Sequence, residues 1–151
     1  MKIALYQPDI AQNLGTNLRT AACLGVDVEI IEPCGFPLDD RKVRRAGMDY
    51  IDMVKYTGHN SWDDFKKWTQ ENDYRIVLLS SKADTPYTEF SFQENDILLL
   101  GRESAGVPPE VTSYCKNAVT ITMTKGVRSL NVAVSAGIVL GEALRQVRSV
   151  K

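Results

Sequence analysis

Residues 121–137 read ITMTKGVRSLNVAVSAG: an apolar end of a strand, a loop around Gly126, and the start of a helix for which Ser129 stands in N-cap position. From residue 130 to 140 only Asn131 and Ser135 are polar, so this helix is apolar nearly all round. Such a helix has to be covered on two sides. A sheet can cover one side, and a second copy of the chain is the natural cover for the other. The same pattern also fits a central helix buried wholly within one chain. Ala133, Gly137 and Gly141 recur at i+4 spacing and form a ridge of small residues. The expected contact surface between copies therefore includes Ala22, Leu130, Ala133, Val134 and Gly137.

Upstream of this stretch, short apolar runs alternate with helical patterns. Residues 2–6 (KIALY), 26–31 (VDVEII), 74–79 (YRIVLL), 96–100 (DILLL) and 119–123 (VTITM) predict strands. Between the first two lies NLGTNLRTAACLG, with Thr16 or Asn17 placed to cap a helix and Gly25 placed to end it. A second amphipathic helix is expected over residues 62–72 after Ser61, and a short one opens at Pro109. This alternation predicts an α/β fold, a mainly parallel sheet with helices on both faces, in one domain over residues 1–151.

Composition narrows the function classes. With 44% hydrophobic and 25% charged residues the chain is an ordinary globular one. No apolar run approaches a membrane span, and MKIALYQPD reaches Pro8 and Asp9 before a signal-peptide core forms, so no membrane partner and a cytoplasmic location are expected. Cys23, Cys34 and Cys115 are widely spaced and form no CxxC pair, so neither a disulfide framework nor a metal site is expected. His59, in the polar stretch TGHNSW, reads as a surface-loop histidine. A net charge of −1 argues against a protein that coats nucleic acid indiscriminately, while leaving room for a local basic patch.

Three constellations carry chemistry. The turn after the first strand, QPDIAQNLGTNLRT, has neither GxGxxG nor a phosphate loop; it brings Asn13, Asn17 and Arg19 to the ligand-binding edge of a parallel sheet. Arg19 falls near a helix start, where the macrodipole disfavours a cation, so helix stability does not explain it; a solvated surface arginine is the plainer alternative. The second constellation, LLLGRESAGVPPEV, ends a buried strand at Gly101, where a ligand can lie against the backbone. In it Glu103 could bind a ligand hydroxyl or hold Arg19 or another arginine. The third is the opening stretch, whose glycine-bearing loop could form a second wall of the same pocket.

Taken in order, the Asn/Arg turn, GRESAGVP and the I-x-M…R-S-L-N-V run resemble the three motifs of the SPOUT methyltransferases. The resemblance spans nearly the whole chain and is nearest to the minimal YibK/TrmL group, whose IEPxGF…D…K…RRAGxDY stretch is matched by IEPCGFPLDDRKVRRAGMDY. It implies a C-terminal deep trefoil knot, a site for S-adenosyl-L-methionine, a homodimer packed through the first and last helices, and 2′-O-methylation of the wobble nucleotide of tRNA, cytidine or modified uridine. By position it implies a cofactor pocket made by Leu79, Ser80, Gly101, Glu103, Ile121, Met123, Ser129 and Leu130, with Asn131 beside them. Arg19, Asn13 and Asn131 are the candidate catalytic residues. Arg102 and Ala105 stand where many relatives show proline and arginine, which moves a positive charge within that loop.

No metal, covalent intermediate or oxyanion hole is required for methyl transfer from a sulfonium; the protein must position the ribose hydroxyl and help remove its proton. An arginine is a poor base, so Arg19 would orient a phosphate or stabilise the developing alkoxide. In DDRKVRRAG, with Asp39 as cap and Gly47 as stop, Arg41, Lys42, Arg44 and Arg45 form the candidate RNA grip on the tRNA anticodon stem-loop, with Phe36 and Tyr50 as stacking candidates. A solvated charged helix is the alternative. The other readings are a methyltransferase for another tRNA or rRNA site, a catalytically silent RNA-binding relative, and a flavodoxin-like nucleotide-binding domain.

Overall fold

The computed structural model describes residues 1–149, with side chains except at positions 40, 42, 46–48 and 149. In chain order the elements are β1 (Lys2–Tyr6), α1 (Ala11–Leu24), β2 (Asp27–Ile31), α2 (Asp40–Gly47), a 3₁₀ helix (Met48–Met53), β3 (Tyr56–His59) and α3 (Trp62–Glu71). They continue with β4 (Arg75–Leu79), a 3₁₀ turn (Tyr87–Glu89), β5 (Asp96–Leu100), α4 (Pro109–Tyr114), β6 (Asn117–Val119) and α5 (Val132–Ser149). The sheet has the order β3-β2-β1-β5-β4-β6 and every pairing in it is parallel.

Alternation along the central strands divides the core into two layers. Ile3, Leu5, Leu98 and Leu100 face α1 and α5 together with Leu14, Leu18, Val139 and Leu140. Ala4, Tyr6, Ile97 and Leu99 face the opposite way, against Trp62, Phe65 and Val111 of α3 and α4. Helices therefore cover both faces, as a parallel sheet requires, and the α/β expectation holds.

Several local expectations are corrected. Helix α1 begins at Ala11, with Ile10 as an N-cap that makes no side-chain cap bond. Thr16 and Asn17 lie inside the helix, where the Thr16 hydroxyl donates to Gln12 O (3.1 Å) and Asn17 Nδ2 to Asn13 O (3.0 Å). Gly25 does end it, in the left-handed conformation at φ 68°. Helix α5 is capped by Asn131 rather than Ser129: Asn131 Oδ1 accepts from the N–H groups of Ala133 (2.8 Å) and Val134 (3.2 Å). The last strand is Asn117–Val119, not 119–123, because Thr120 turns away to pair with the 85–86 segment.

His59 is a buried residue, not a surface-loop one. It ends the edge strand β3, and its Nε2 lies 2.7 Å from Glu29 Oε2. Glu29 is itself 1% exposed and accepts from Lys2 Nζ at 3.0 Å through its other oxygen. A carboxylate this deep needs partners on both oxygens, and the strands on either side of β2 supply them.

The last helix is not buried wholly within its own chain. Ala136, Val139, Leu140 and Ala143 are fully buried, while Val134 and Ile138 remain 51% and 38% exposed, so a single chain does not cover it. Ala133 faces its own core and leaves the expected outer ridge, whereas Cβ positions at Gly137 and Gly141 meet open space. Among the described residues no helix is long and apolar enough to cross a membrane, and no group of three or more His, Cys, Asp and Glu residues could hold a metal ion.

Candidate functional site

Strands β4, β5 and β6 lie at one end of the sheet, and the loops that leave their carboxyl ends converge there. They enclose a cavity of about 340 Å³. Its walls are Leu79, Ser80 and Lys82 after β4, Gly101 to Val107 after β5, Ile121 and Met123 after β6, and Ser129, Leu130, Val132 and Ser135 leading into α5. All eight positions that the motif resemblance assigns to a cofactor meet in this one space. Lys82 and Ser135 were missed; only their nearness to assigned residues could have suggested them.

The β5–α4 loop is shaped by its glycines. Arg102 and Gly106 exchange two backbone hydrogen bonds of 2.9 Å, and Gly106 sits at φ +62°. A Cβ on Gly101 would come within 2.8 Å of Gly106 Cα and carbonyl carbon. The absent side chain at Gly101 thus makes room for the loop's own return. Arg102 lines the cavity with its guanidinium 5.5 Å from the Tyr6 ring centre, and its buried Nε has no hydrogen-bond partner among the described residues.

Among the described residues Glu103 pairs with no arginine. Its Oε2 accepts from the Asp9 N–H (3.0 Å), while Asp9 Oδ1 accepts from the Glu103 N–H (3.2 Å) and Asp9 Oδ2 accepts from the Ser104 hydroxyl. The hydrogen bond with the Glu103 side chain, reinforced by Ser104, holds the Asp9 carboxyl down to about 2. Burial pushes Glu103 the other way, above the usual carboxylate range. The signs oppose. Asp9 contributes stability above its unfolded pKa, and this is lost as pH falls through about 2. Glu103, raised on folding, favours the fold only in acid, and that contribution is lost as pH rises through its folded value. Glu103→Gln keeps an acceptor for the Asp9 N–H without the charge. It should therefore melt higher than the parent at neutral pH, and the gain should shrink on acidification; a constant difference across a pH series of thermal melts would contradict this.

Asn13 and Asn131 meet directly beside the cavity, Asn131 Nδ2 donating to Asn13 Oδ1 at 3.0 Å. This bond ties the start of α1 to the start of α5. Arg19 lies mid-helix rather than in the first turn, about 9 Å along the axis from Asn13. It is exposed, does not line the cavity of its own chain, and stacks over Tyr50 at 4.8 Å. That stacking joins it to the segment next to α2. Arg41, Arg44 and Arg45 are exposed there, with Arg44 Nη1 2.9 Å from Asp52 Oδ1; the Lys42 side chain lies outside the described residues. Phe36 packs against the core instead of standing free.

Comparison with known proteins points the same way. The SpoU rRNA Methylase family model matches residues 1–141. A tRNA (cytidine(34)-2'-O)-methyltransferase of Beijerinckia indica is 59% identical over 145 residues, 96% of this chain and 91% of that protein. A structure solved in work on the 2-OH methylation of C/U34 on tRNA superimposes with a TM-score of 0.89 at 40% identity, covering 96% of this chain and 94% of the other. An AdoMet-bound rRNA methyltransferase from Sinorhizobium meliloti gives a TM-score of 0.85 at 27% identity, over 95% of this chain and 55% of that one.

Proposed function

The chain belongs to the SpoU rRNA methylase family, and from that premise we propose that it methylates the ribose 2′-hydroxyl of the wobble nucleotide of tRNA, with S-adenosyl-L-methionine as donor. The observation that carries this reading is the meeting of the loops after β4, β5 and β6 around one cavity at the carboxyl edge of a parallel sheet. That edge is where open α/β sheets bind ligands.

The cavity suits the cofactor. Its volume of about 340 Å³ falls within the range of small-molecule sites, and Leu79, Leu100, Ile121, Leu130 and Val132 offer apolar walls for a nucleoside. Ser80, Ser129 and Ser135 add hydroxyls, and Arg102 adds a cation with a donor left unpartnered. S-adenosylmethionine, when bound, supplies a methyl group activated by its sulfonium. The residues of the chain do the rest. The loops would hold the donor away from bulk water, the Asn13–Asn131 bond fixes the helix starts beside the cavity, and Arg19 would stabilise charge developing on the ribose oxygen as its proton passes to solvent water. The deep trefoil knot is part of this proposal, as is a cytoplasmic location. Arg41, Arg44 and Arg45, exposed on the helix that precedes Tyr50, would grip phosphates of the anticodon stem-loop.

A homodimer belongs to the same reading. Val134, Ile138 and Leu130 leave an apolar stripe on and before α5, and α1 packs beside that helix with its own exposed stripe of Gln12, Thr16, Arg19 and Cys23. Pairing these stripes would bury the apolar residues and set Arg19 at the seam. Light scattering at micromolar concentration should give twice the chain mass, and Ile138→Asp should halve it, since a charge there would have to be buried unpaired. A monomeric parent would contradict the dimer.

The function itself is tested by transfer of labelled methyl from S-adenosylmethionine to RNA of a strain lacking the gene. Incorporation into tRNA supports the reading. Cofactor binding without incorporation into any RNA would favour a catalytically silent RNA-binding relative.

A further inference from the structure

The cavity's loops are held from one side by a segment that does not line it. Asp9, between β1 and α1, is fastened to the β5–α4 loop by the three hydrogen bonds to Glu103 and Ser104. On its other flank stands Gly35, where any Cβ would lie 2.7 Å from Asp9 Cβ, and the Gly35 N–H donates to Pro8 O at 2.9 Å. Asp9 is thus wedged between the loops after β2 and β5. Four residues on, Asn13 accepts from Asn131, the cap of α5. One short segment, residues 9–13, therefore grips two separate walls of the cavity, and Asp9 is the end that grips the glycine-bearing loop.

We infer that Asp9 is a positioning residue for methyl transfer: it sets Glu103 and Ser104 at the place in the cavity wall that cofactor binding requires. The inference rests on the cofactor reading above. The chemistry calls for a carboxylate, because two donors, the Glu103 N–H and the Ser104 hydroxyl, converge on two separate oxygens. An asparagine can serve one of them and an alanine neither. Asp9 remains ionised throughout the physiological range, with its carboxyl held down to about 2, so both acceptors are present whenever the protein works.

The test is calorimetric titration with adenosylhomocysteine, beside thermal melts and steady-state kinetics, for the parent, Asp9→Ala, Asp9→Asn and Ser104→Ala. Asp9→Ala should weaken adenosylhomocysteine binding about tenfold or more and raise KM for S-adenosylmethionine in step. KM for tRNA should stay within about twofold, since the loss falls on one substrate alone. Asp9→Asn and Ser104→Ala, which each spare one of the two acceptor contacts, should weaken binding by only about threefold and agree with each other. These two milder variants carry the test if Asp9→Ala does not fold. A lower melting temperature with the parent's affinity would mean a purely structural clamp and overturn the inference. Equal losses in KM for tRNA and for S-adenosylmethionine would overturn it too. A parent that binds no adenosylhomocysteine would instead remove the cofactor reading itself.

Discussion

Arg19→Ala should lower kcat by roughly two to three orders of magnitude, the scale seen when a group stabilising charge in a transition state is removed. The affinity for adenosylhomocysteine should remain that of the parent. The expectation follows from where Arg19 sits: it is exposed on α1, outside the lining of the cavity, with its guanidinium over Tyr50. Tyr50, over which it stacks, does not line the cavity either. A residue so placed can act on the RNA or on the attacking oxygen, not on the donor. Lysine is a poor replacement, since it keeps the charge but loses the planar group that stacks on Tyr50, so Arg19→Lys should recover only part of the rate. Single-turnover rates with saturating cofactor separate the cases. A variant that turns over normally would remove Arg19 from the reaction, and one that loses cofactor binding would show that the wall of the cavity extends to α1.

Gly101→Val should weaken cofactor binding by up to about a hundredfold, for a reason the loop geometry supplies. The new Cβ would lie 2.8 Å from backbone atoms of Gly106, which cannot move without breaking the paired bonds between Arg102 and Gly106. Overpacking of this kind costs about 1–3 kcal/mol in a well-packed site. Spent on reshaping the loop rather than on unfolding, the upper end of that range corresponds to about a hundredfold in affinity. Gly101→Ala places the same Cβ and should already show most of the effect. Val at Gly106, by contrast, would meet open space but strain a backbone at φ +62°, so its loss should appear mainly as a lower melting temperature. Calorimetry and melts on these variants check it: parental binding by Gly101→Ala would mean that the loop can yield without cost.

Much of the fold was legible because it rests on local periodicity. Continuous apolar runs in β1 and β5, and glycines at the ends of β5 and α1, are properties of single short stretches. What escaped was set by distant partners. β3 is four residues long, contains Gly58, and is a strand because its pairing with β2 puts His59 on the carboxylate of Glu29. The start of α1 has no capping side chain to announce it, since Ile10 occupies that place. Strand β6 ended early because Thr120 found its partner in the 85–86 segment.

The site divides in the same way. Glycines after strands and the small polar residues before α5 mark the cavity, and the eight positions assigned by the motif resemblance all line that one space. The clamp between Asp9 and Glu103 bridges 94 positions, and nothing in either stretch signals it. Likewise, the sequence leaves Glu103 open to a ligand hydroxyl or an arginine, and only the distant Asp9 backbone N–H gives it a partner. Asn131 looked like a site residue and proves also to cap α5, so its side chain serves the helix and the cavity edge at once.

Mass spectrometry of nuclease-digested RNA bears most directly on the central claim. tRNA from a strain lacking the gene, incubated with the purified protein and S-adenosylmethionine, should gain a 2′-O-methyl group at the wobble nucleotide of certain isoacceptors, and Arg19→Ala should leave it unmethylated. A methyl group gained at another position of tRNA, or in rRNA alone, would contradict the account.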